Sequence, residues 1–190
     1  MKIITGEFKG RNFYMPAHVK PTQNIVRKAI FDLIGQDLTG FSFLDLFAGS
    51  GAIGLEAFSC GAREVLMVER DPKCIEVIRQ NLELFGLTGF RDDGRSCRLM
   101  EGDVFAVIKS LAGQKKCFDV VFLDPPYDGG LAKKTLKTLS AYAILHPNSV
   151  ILTECSEKEG LPYAEHDFEV MTERKYGKSC LVLYKQKQAN

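Results

Sequence analysis

The chain has 190 residues, 45% of them hydrophobic and 26% charged, which are ordinary globular values and exclude a fibrous or disordered protein. At roughly 100–200 residues per domain, this is one domain with room for a small appendage. The net charge is only +1, yet residues 1–28 hold six basic residues (Lys2, Lys9, Arg11, Lys20, Arg27, Lys28) against Glu7 alone, and residues 171–190 hold five against Glu173 alone, a pattern that suits an anionic partner gripped at the periphery and equally a solvated surface.

Residues 1–15 alternate loosely around Gly6 and Gly10, as in a short hairpin that Pro16 ends. Thr22 is placed to cap a helix over 23–34, in which Ile25, Val26, Ala29, Ile30, Leu33 and Ile34 share one face and Gly35 is the stop. Residues 1–35 thus read as an N-terminal extension, and 36–190 as the main domain. From residue 41 strands and helices alternate. FSFLDLF (41–47) is a buried strand, GAIGLEAFSC (51–60) a helix, EVLMVE (64–69) a strand. Asp71-Pro72 opens a helix to about Phe85, with aspartate at the cap and proline in the first turn. Residues 96–101 form a weak strand and 104–111 a helix. FDVVFLD (118–124) is a strong strand, roughly 130–143 a helix, SVILTEC (149–155) a strand. The alternation predicts a parallel sheet covered on both faces. FEVMTERKYGKSCLVLY (168–184) reads as two further strands around Gly177 that end the sheet antiparallel.

No apolar run nears the roughly 18 residues of a membrane span, and MKIITGEFKGR carries no signal-peptide apolar region. A cytoplasmic protein is expected. The six cysteines form no CxxC pair and the three histidines do not cluster in sequence, so reduced thiols and no metal site are expected.

Gly49-Ser50-Gly51-Ala52-Ile53-Gly54 fits G-x-G-x-x-G between a strand and a helix, and Glu69 lies at the end of the next strand, where a ribose-binding acid belongs. Asp45, four residues before Gly49, argues against a dinucleotide, because a fixed carboxylate there repels a pyrophosphate. It suits a ligand with ribose and adenine that is cationic near the loop, such as S-adenosylmethionine. Asp103, after Gly102, is placed either to accept from an adenine amine or simply to cap a helix. Asp124-Pro125-Pro126-Tyr127 follows the fourth strand directly. Two prolines remove backbone donors and stiffen the loop. The loop then presents the Asp124 carboxylate and the Pro125 carbonyl as acceptors beside the Tyr127 ring. An exocyclic base amine is a poor nucleophile, since its lone pair is delocalised. Two acceptors on its hydrogens aim that lone pair, and stacking on the ring holds the base, contributing roughly 1–3 kcal/mol. The bland alternative is a rigid turn.

Taken together these residues resemble a class I S-adenosylmethionine-dependent methyltransferase of the amino-methylating kind. KIITGEFKGR (2–11), KPTQNIVRKAIFDLI (20–34), LDLFAGSGAIGLEA (44–57), VFLDPPY (121–127) and KYGKSCLVLY (175–184) narrow the resemblance to the RsmD family of 16S rRNA guanine-N2 methyltransferases, over nearly the whole chain. The resemblance implies a Rossmann-like α/β fold, a mostly parallel seven-stranded sheet with helices on both faces and an N-terminal hairpin and helix extension. It implies S-adenosylmethionine as cofactor, held along Asp45, Ala48, Gly49, Ser50, Gly51, Glu69, Arg70, Gly102, Asp103 and Asp124. The target guanine is then held by Asp124, Pro125, Pro126 and Tyr127. Lys9, Arg11, Lys20 and Arg27 are the expected contacts to 16S rRNA, bound within a small-subunit assembly particle by a monomer. Two positions depart from the family: Lys20 stands where arginine is common, keeping the charge without the bidentate fork, and Asn24 where aspartate is common. A DNA or other RNA amino-methyltransferase, a nicotinamide-dependent oxidoreductase and a non-catalytic rRNA-binding assembly factor are the alternatives.

Overall fold

The computed structural model describes residues 1–19, 22–126, 130–156, 164–165 and 167–187. The elements are α1 (Asn24–Ile34), β1 (Ser42–Leu46), α2 (Ala52–Ser59), β2 (Glu64–Glu69), α3 (Pro72–Phe85), β3 (Ser96–Glu101), α4 (Val104–Gly113), β4 (Phe118–Leu123), α5 (Leu131–Ala141), β5 (Leu145–Ser156), β6 (Ala164–Glu165), β7 (Phe168–Tyr176) and β8 (Ser179–Gln186). They form one sheet in the order β3-β2-β1-β4-β5-β8-β7-β6. The first five strands in that order run parallel, and β8, β7 and β6 pair antiparallel. The expected seven strands are present, and the two-residue β6 adds an eighth.

The near-continuous apolar runs of β1, β2 and β4 bury both faces, as parallel strands must when helices cover each side. Alternate residues separate into two cores. Phe43, Val65, Met67, Val120 and Phe122 pack with α1, α2 and α3. Leu44, Leu46, Leu66, Val68, Val121 and Leu123 pack with α4 and α5. Strand order reverses between β1 and β4, so their carboxyl ends diverge into a crevice, the usual ligand position in such sheets. No helix among the described residues is long and apolar enough to cross a membrane.

The N-terminal extension differs from the expected hairpin. Its pairing is one bridge, Lys2 with Asn12, closed by Gly10 N donating to Ile3 O at 2.8 Å and Phe13 N to Met1 O at 2.9 Å. Four further backbone donors, those of Ile4, Thr5, Glu7 and Phe8, go to α2. Ile4 N and Thr5 N donate to Glu56 Oε1 at 2.9 and 2.6 Å, and Phe8 N to Ser59 Oγ at 2.8 Å. Gly6 passes so close that a Cβ would lie 1.9 Å from Ser59 O. The result is a knob clamped on the end of α2 rather than a free ribbon, and Ile3, Phe8, Phe13, Ile30 and Phe31 join the first core. The change of pattern at residue 35 is therefore not a break in packing.

Thr22 does not cap α1. Gln23 holds the N-cap position without a side-chain bond, because the Thr22 hydroxyl turns to Asp124 instead. Arg27 is also not where a phosphate contact requires it. It is fully buried, with Nη2 donating to Lys2 O and Asn24 Oδ1, each at 2.8 Å, and Nη1 3.5 Å from Glu56 Oε2. The expectation of an rRNA contact at Arg27 fails because the guanidinium ties α1 to the knob. Asn24 has a role in the same cluster, as an acceptor for Arg27.

Candidate functional site

The crevice holds a cavity of about 480 Å³ at the carboxyl ends of β1, β2, β4 and β5. The strand ends supply its acids. Asp45, on the face that Phe43 opens, is buried on β1 and accepts from Gly54 N at 3.0 Å. Burial pushes its pKa up to about 8, against the pull of the Gly54 N–H and with added repulsion from Glu69. A cation placed beside it would restore the charge.

The glycine loop divides its labour. Phe47, a non-glycine residue with φ of 68°, turns the chain out of β1, a strained conformation of the kind that surrounding structure must enforce. Ala48, Gly49 and Ser50 then line the cavity. Gly51 does not. It is the left-handed N-cap of α2, and a Cβ there would meet Met67 Sδ at 2.9 Å. At Gly54 a Cβ would meet Met67 Cγ at 2.5 Å. Gly51 and Gly54 thus allow close packing of α2 on β2, which lets the N-terminus of α2 approach Asp45.

Glu69 braces two loops. Oε2 accepts from Gly49 N at 2.7 Å, and Oε1 from Arg70 N at 2.8 Å and Asp71 N at 2.9 Å. Asp103 caps α4 with Oδ1, accepting from Phe105 N and Ala106 N at 3.0 and 3.3 Å, while Oδ2 lies 3.6 Å from Arg70 Nη1. Arg70, Gly102 and Asp103 all face the cavity.

Asp124 stands half-buried directly after β4, the strand that pairs with β1. Burial, then Glu154, then Asp45 push its pKa well up, while the Thr22 hydroxyl, 3.5 Å from Oδ2, pulls it down. Pro125 is buried and Pro126 exposed. Both line the cavity. Tyr127 lies outside the described residues, as does Lys20. Lys9 and Arg11 are exposed on the knob, although Arg11 stacks over Phe85 at 4.4 Å and donates to Leu84 O at 2.9 Å.

Sequence reasoning missed two contributors. The first is the strap of residues 15–19 and 22–23, of which Met15, His18, Val19, Thr22 and Gln23 line the cavity. His18 Nε2 reaches Asp71 Oδ2 at 3.1 Å, and Cys74 Sγ lies 3.9 Å from the same nitrogen. These three groups, distant in sequence, come within 4.8 Å of one another, which no spacing rule reveals. Buried Asn81 fastens the strap, pairing with the Tyr14 N–H and carbonyl at 2.8 and 3.0 Å and donating to Ser50 O at 3.1 Å. The second is Glu154, buried on β5 and facing the cavity. The lone charged residue in the SVILTEC strand was the available signal.

Comparison with known proteins decides the family. A family model described as Conserved hypothetical protein 95 matches residues 1–185. The chain belongs to this family, the RsmD family. An rRNA methyltransferase candidate of Bacillus subtilis, YlbH, is 31% identical over 189 residues, 98% of this chain and 100% of its own. The Ribosomal RNA small subunit methyltransferase D of Escherichia coli K12 is 27% identical over 188 residues, 98% of this chain and 90% of its own. A solved structure of the methyltransferase candidate yhhF of Escherichia coli superposes with a TM-score of 0.83 at 28% identity, covering 98% of each chain. The sheet described above is thus the class I methyltransferase fold, as expected of an RsmD family member.

Proposed function

We propose that this chain transfers a methyl group from S-adenosylmethionine to the exocyclic N2 amine of a guanine in 16S rRNA. One observation carries the reading: a single cavity brings a buried, cation-seeking carboxylate, Asp45, within electrostatic reach of Asp124-Pro125-Pro126. The names of the relatives, rRNA and small-subunit methyltransferases, support the substrate class.

The residues fit the cofactor. A floor of Asp45, Glu69 and Asp103 disfavours a pyrophosphate and suits a ligand with an ammonium, a sulfonium and ribose hydroxyls. Asp45 and the loop of Ala48, Gly49 and Ser50 would hold the amino acid part, Glu69 the ribose, and Gly102 and Asp103 the adenine. S-adenosylmethionine supplies an electrophilic methyl on a positively charged sulfur. The protein's task is to present the nucleophile. Asp124 and the Pro125 carbonyl accept the two amine hydrogens and aim the nitrogen lone pair at the methyl, and such alignment is worth up to roughly 7–11 kcal/mol. Asp124 would take the amine proton that is released when the methyl leaves sulfur, which keeps the bond's electron pair, for nitrogen, and would pass it on to solvent. Tyr127 stacks on the base. Lys9, Arg11 and Lys20 hold rRNA phosphates on a cytoplasmic assembly particle, where a monomer acts on an unpaired or extruded guanine.

The test is methyl transfer from labelled S-adenosylmethionine to small-subunit particles, naked rRNA and duplex DNA from cells lacking the enzyme. The expected product is N2-methylguanosine in rRNA alone. Methylated adenine or cytosine, or label in DNA, overturns the assignment, and binding without transfer points to an assembly factor.

A further inference from the structure

Asp124 alone does not explain why guanine should be chosen. Adenine and cytosine also carry an exocyclic amine, and an acceptor pair that grips N–H bonds serves all three. The bases differ at the neighbouring ring nitrogen. In guanine, N1 carries a hydrogen and donates. In adenine N1, and in cytosine N3, that position is a lone pair. A site for guanine amines therefore needs a second acceptor next to the first, and a carboxylate, which when ionised accepts only, is the side chain that most rejects the alternatives.

The sheet puts one there. The parallel register pairs Leu123 of β4 with Thr153 of β5, so one step further along each strand brings Asp124 beside Glu154. Phe122 and Leu152, two residues earlier, are themselves paired and lie in the same core. Alternation then sends Asp124 and Glu154 to the same face, and both line the cavity. Glu154 is 3% exposed. Its charge is felt at Asp124, where it raises the pKa. Ser179, on the strand beyond, also borders the cavity. The mechanism proposed above does not use Glu154.

We infer that Glu154 is the specificity residue of this site, its carboxylate accepting the N1–H of the target guanine while Asp124 accepts from the adjacent N2 amine. The inference rests on the proposed guanine-N2 reaction and supplies the recognition that reaction lacks. Burial sharpens it, since a carboxylate shielded from water and faced with a ring lone pair loses its hydrogen bond and gains repulsion. Sites that hydrogen-bond a substrate group typically reject analogues lacking it by factors of roughly 10⁴–10⁵.

The experiment uses particles whose 16S rRNA carries either guanine or 2-aminopurine at the methylated position. 2-Aminopurine keeps the N2 amine and replaces N1–H by a lone pair. For the unaltered protein, kcat/KM is expected to be at least about 100-fold lower on 2-aminopurine. Glu154→Gln provides an amide N–H that can face the lone pair. It is expected to lose activity on guanine and to narrow or invert the preference by about 100-fold, while binding S-adenosylhomocysteine with unchanged affinity. Equal use of the two bases by the unaltered protein overturns the inference without any variant. So does a Glu154→Gln protein that loses or keeps both activities in equal proportion. The underlying reaction fails separately, and the inference with it, if the unaltered protein methylates no guanine N2.

Discussion

The hydroxyl of Thr22 lies 3.5 Å from the Asp124 carboxylate and donates to it, across 102 residues of sequence. One end of the strap is thereby fixed to the residue proposed to receive the amine proton, while the His18–Asp71 pair fixes it beside Glu69. This bond is one of the influences on Asp124 that favours the ionised acid, against burial and two carboxylates.

Removing it has a signed consequence. In Thr22→Val the Asp124 pKa rises further. Because the reaction requires the ionised acid, the acid limb of the pH–rate profile moves to higher pH. Activity at neutral pH is expected to fall several-fold and to recover in alkaline buffer. An unmoved acid limb would detach Thr22 from the chemistry.

Asp124→Ala removes the acceptor itself. Transfer is expected to drop by about 10²–10⁴-fold, the usual range for a lost general base. Cofactor affinity should change little in calorimetry, because Asp45 and Glu69 are untouched. A comparable loss of cofactor binding would place Asp124 at the cofactor instead.

Asp45 makes the free protein sensitive to pH. Its pKa moves from 3.8 to about 8 on burial, so between these values the folded state holds a proton that the unfolded chain has released. Stability therefore falls as pH rises through that window. Asp45→Asn removes this dependence and should raise the stability of the free protein at pH 8 by on the order of a few kcal/mol. The same variant should bind S-adenosylmethionine at least about 10-fold more weakly. Thermal melts of both proteins between pH 5 and 8, with and without cofactor, give both numbers. Parallel melting curves for the two free proteins would contradict the assignment.

Arg27 and the knob cations separate structure from binding. Arg27→Ala leaves Glu56 buried without its guanidinium partner, which typically costs about 3–5 kcal/mol. It should leave the salt dependence of rRNA binding unchanged for the fraction that folds. Lys9→Gln should do the reverse: little change in stability and a slope of log affinity against log salt that is shallower by about one.

Much of the fold was legible because its signals are local. Apolar period, the Asp71-Pro72 start and the Gly86 stop mark α3, and the Gly177 turn marks the β7–β8 pair, all within a few residues of chain. The acids at the strand ends were legible for the same reason, since an end is a sequence position. Arg27 and Thr22 were not. Both look like surface residues of an amphipathic helix start, and what redirects them, the Glu56 carboxylate and Asp124, is distant in sequence. Glu154 needed the register of β5 on β4, and the His18–Asp71 contact needed the path of the strap. The division of the glycine motif needed the position of Met67. In each case the missing information is which non-local surface the residue meets.

β8 lies between β5 and β7 in the sheet, although it follows both in the chain. A chain made from its N-terminus therefore keeps the β5 edge, and Glu154 on it, without its lateral neighbour until residues 179–186 have been made. The cavity is assembled last on the side proposed to read the base. A nascent chain can gather the residues proposed for the cofactor well before it can discriminate a substrate, so competence in the two tasks arrives at different moments of synthesis.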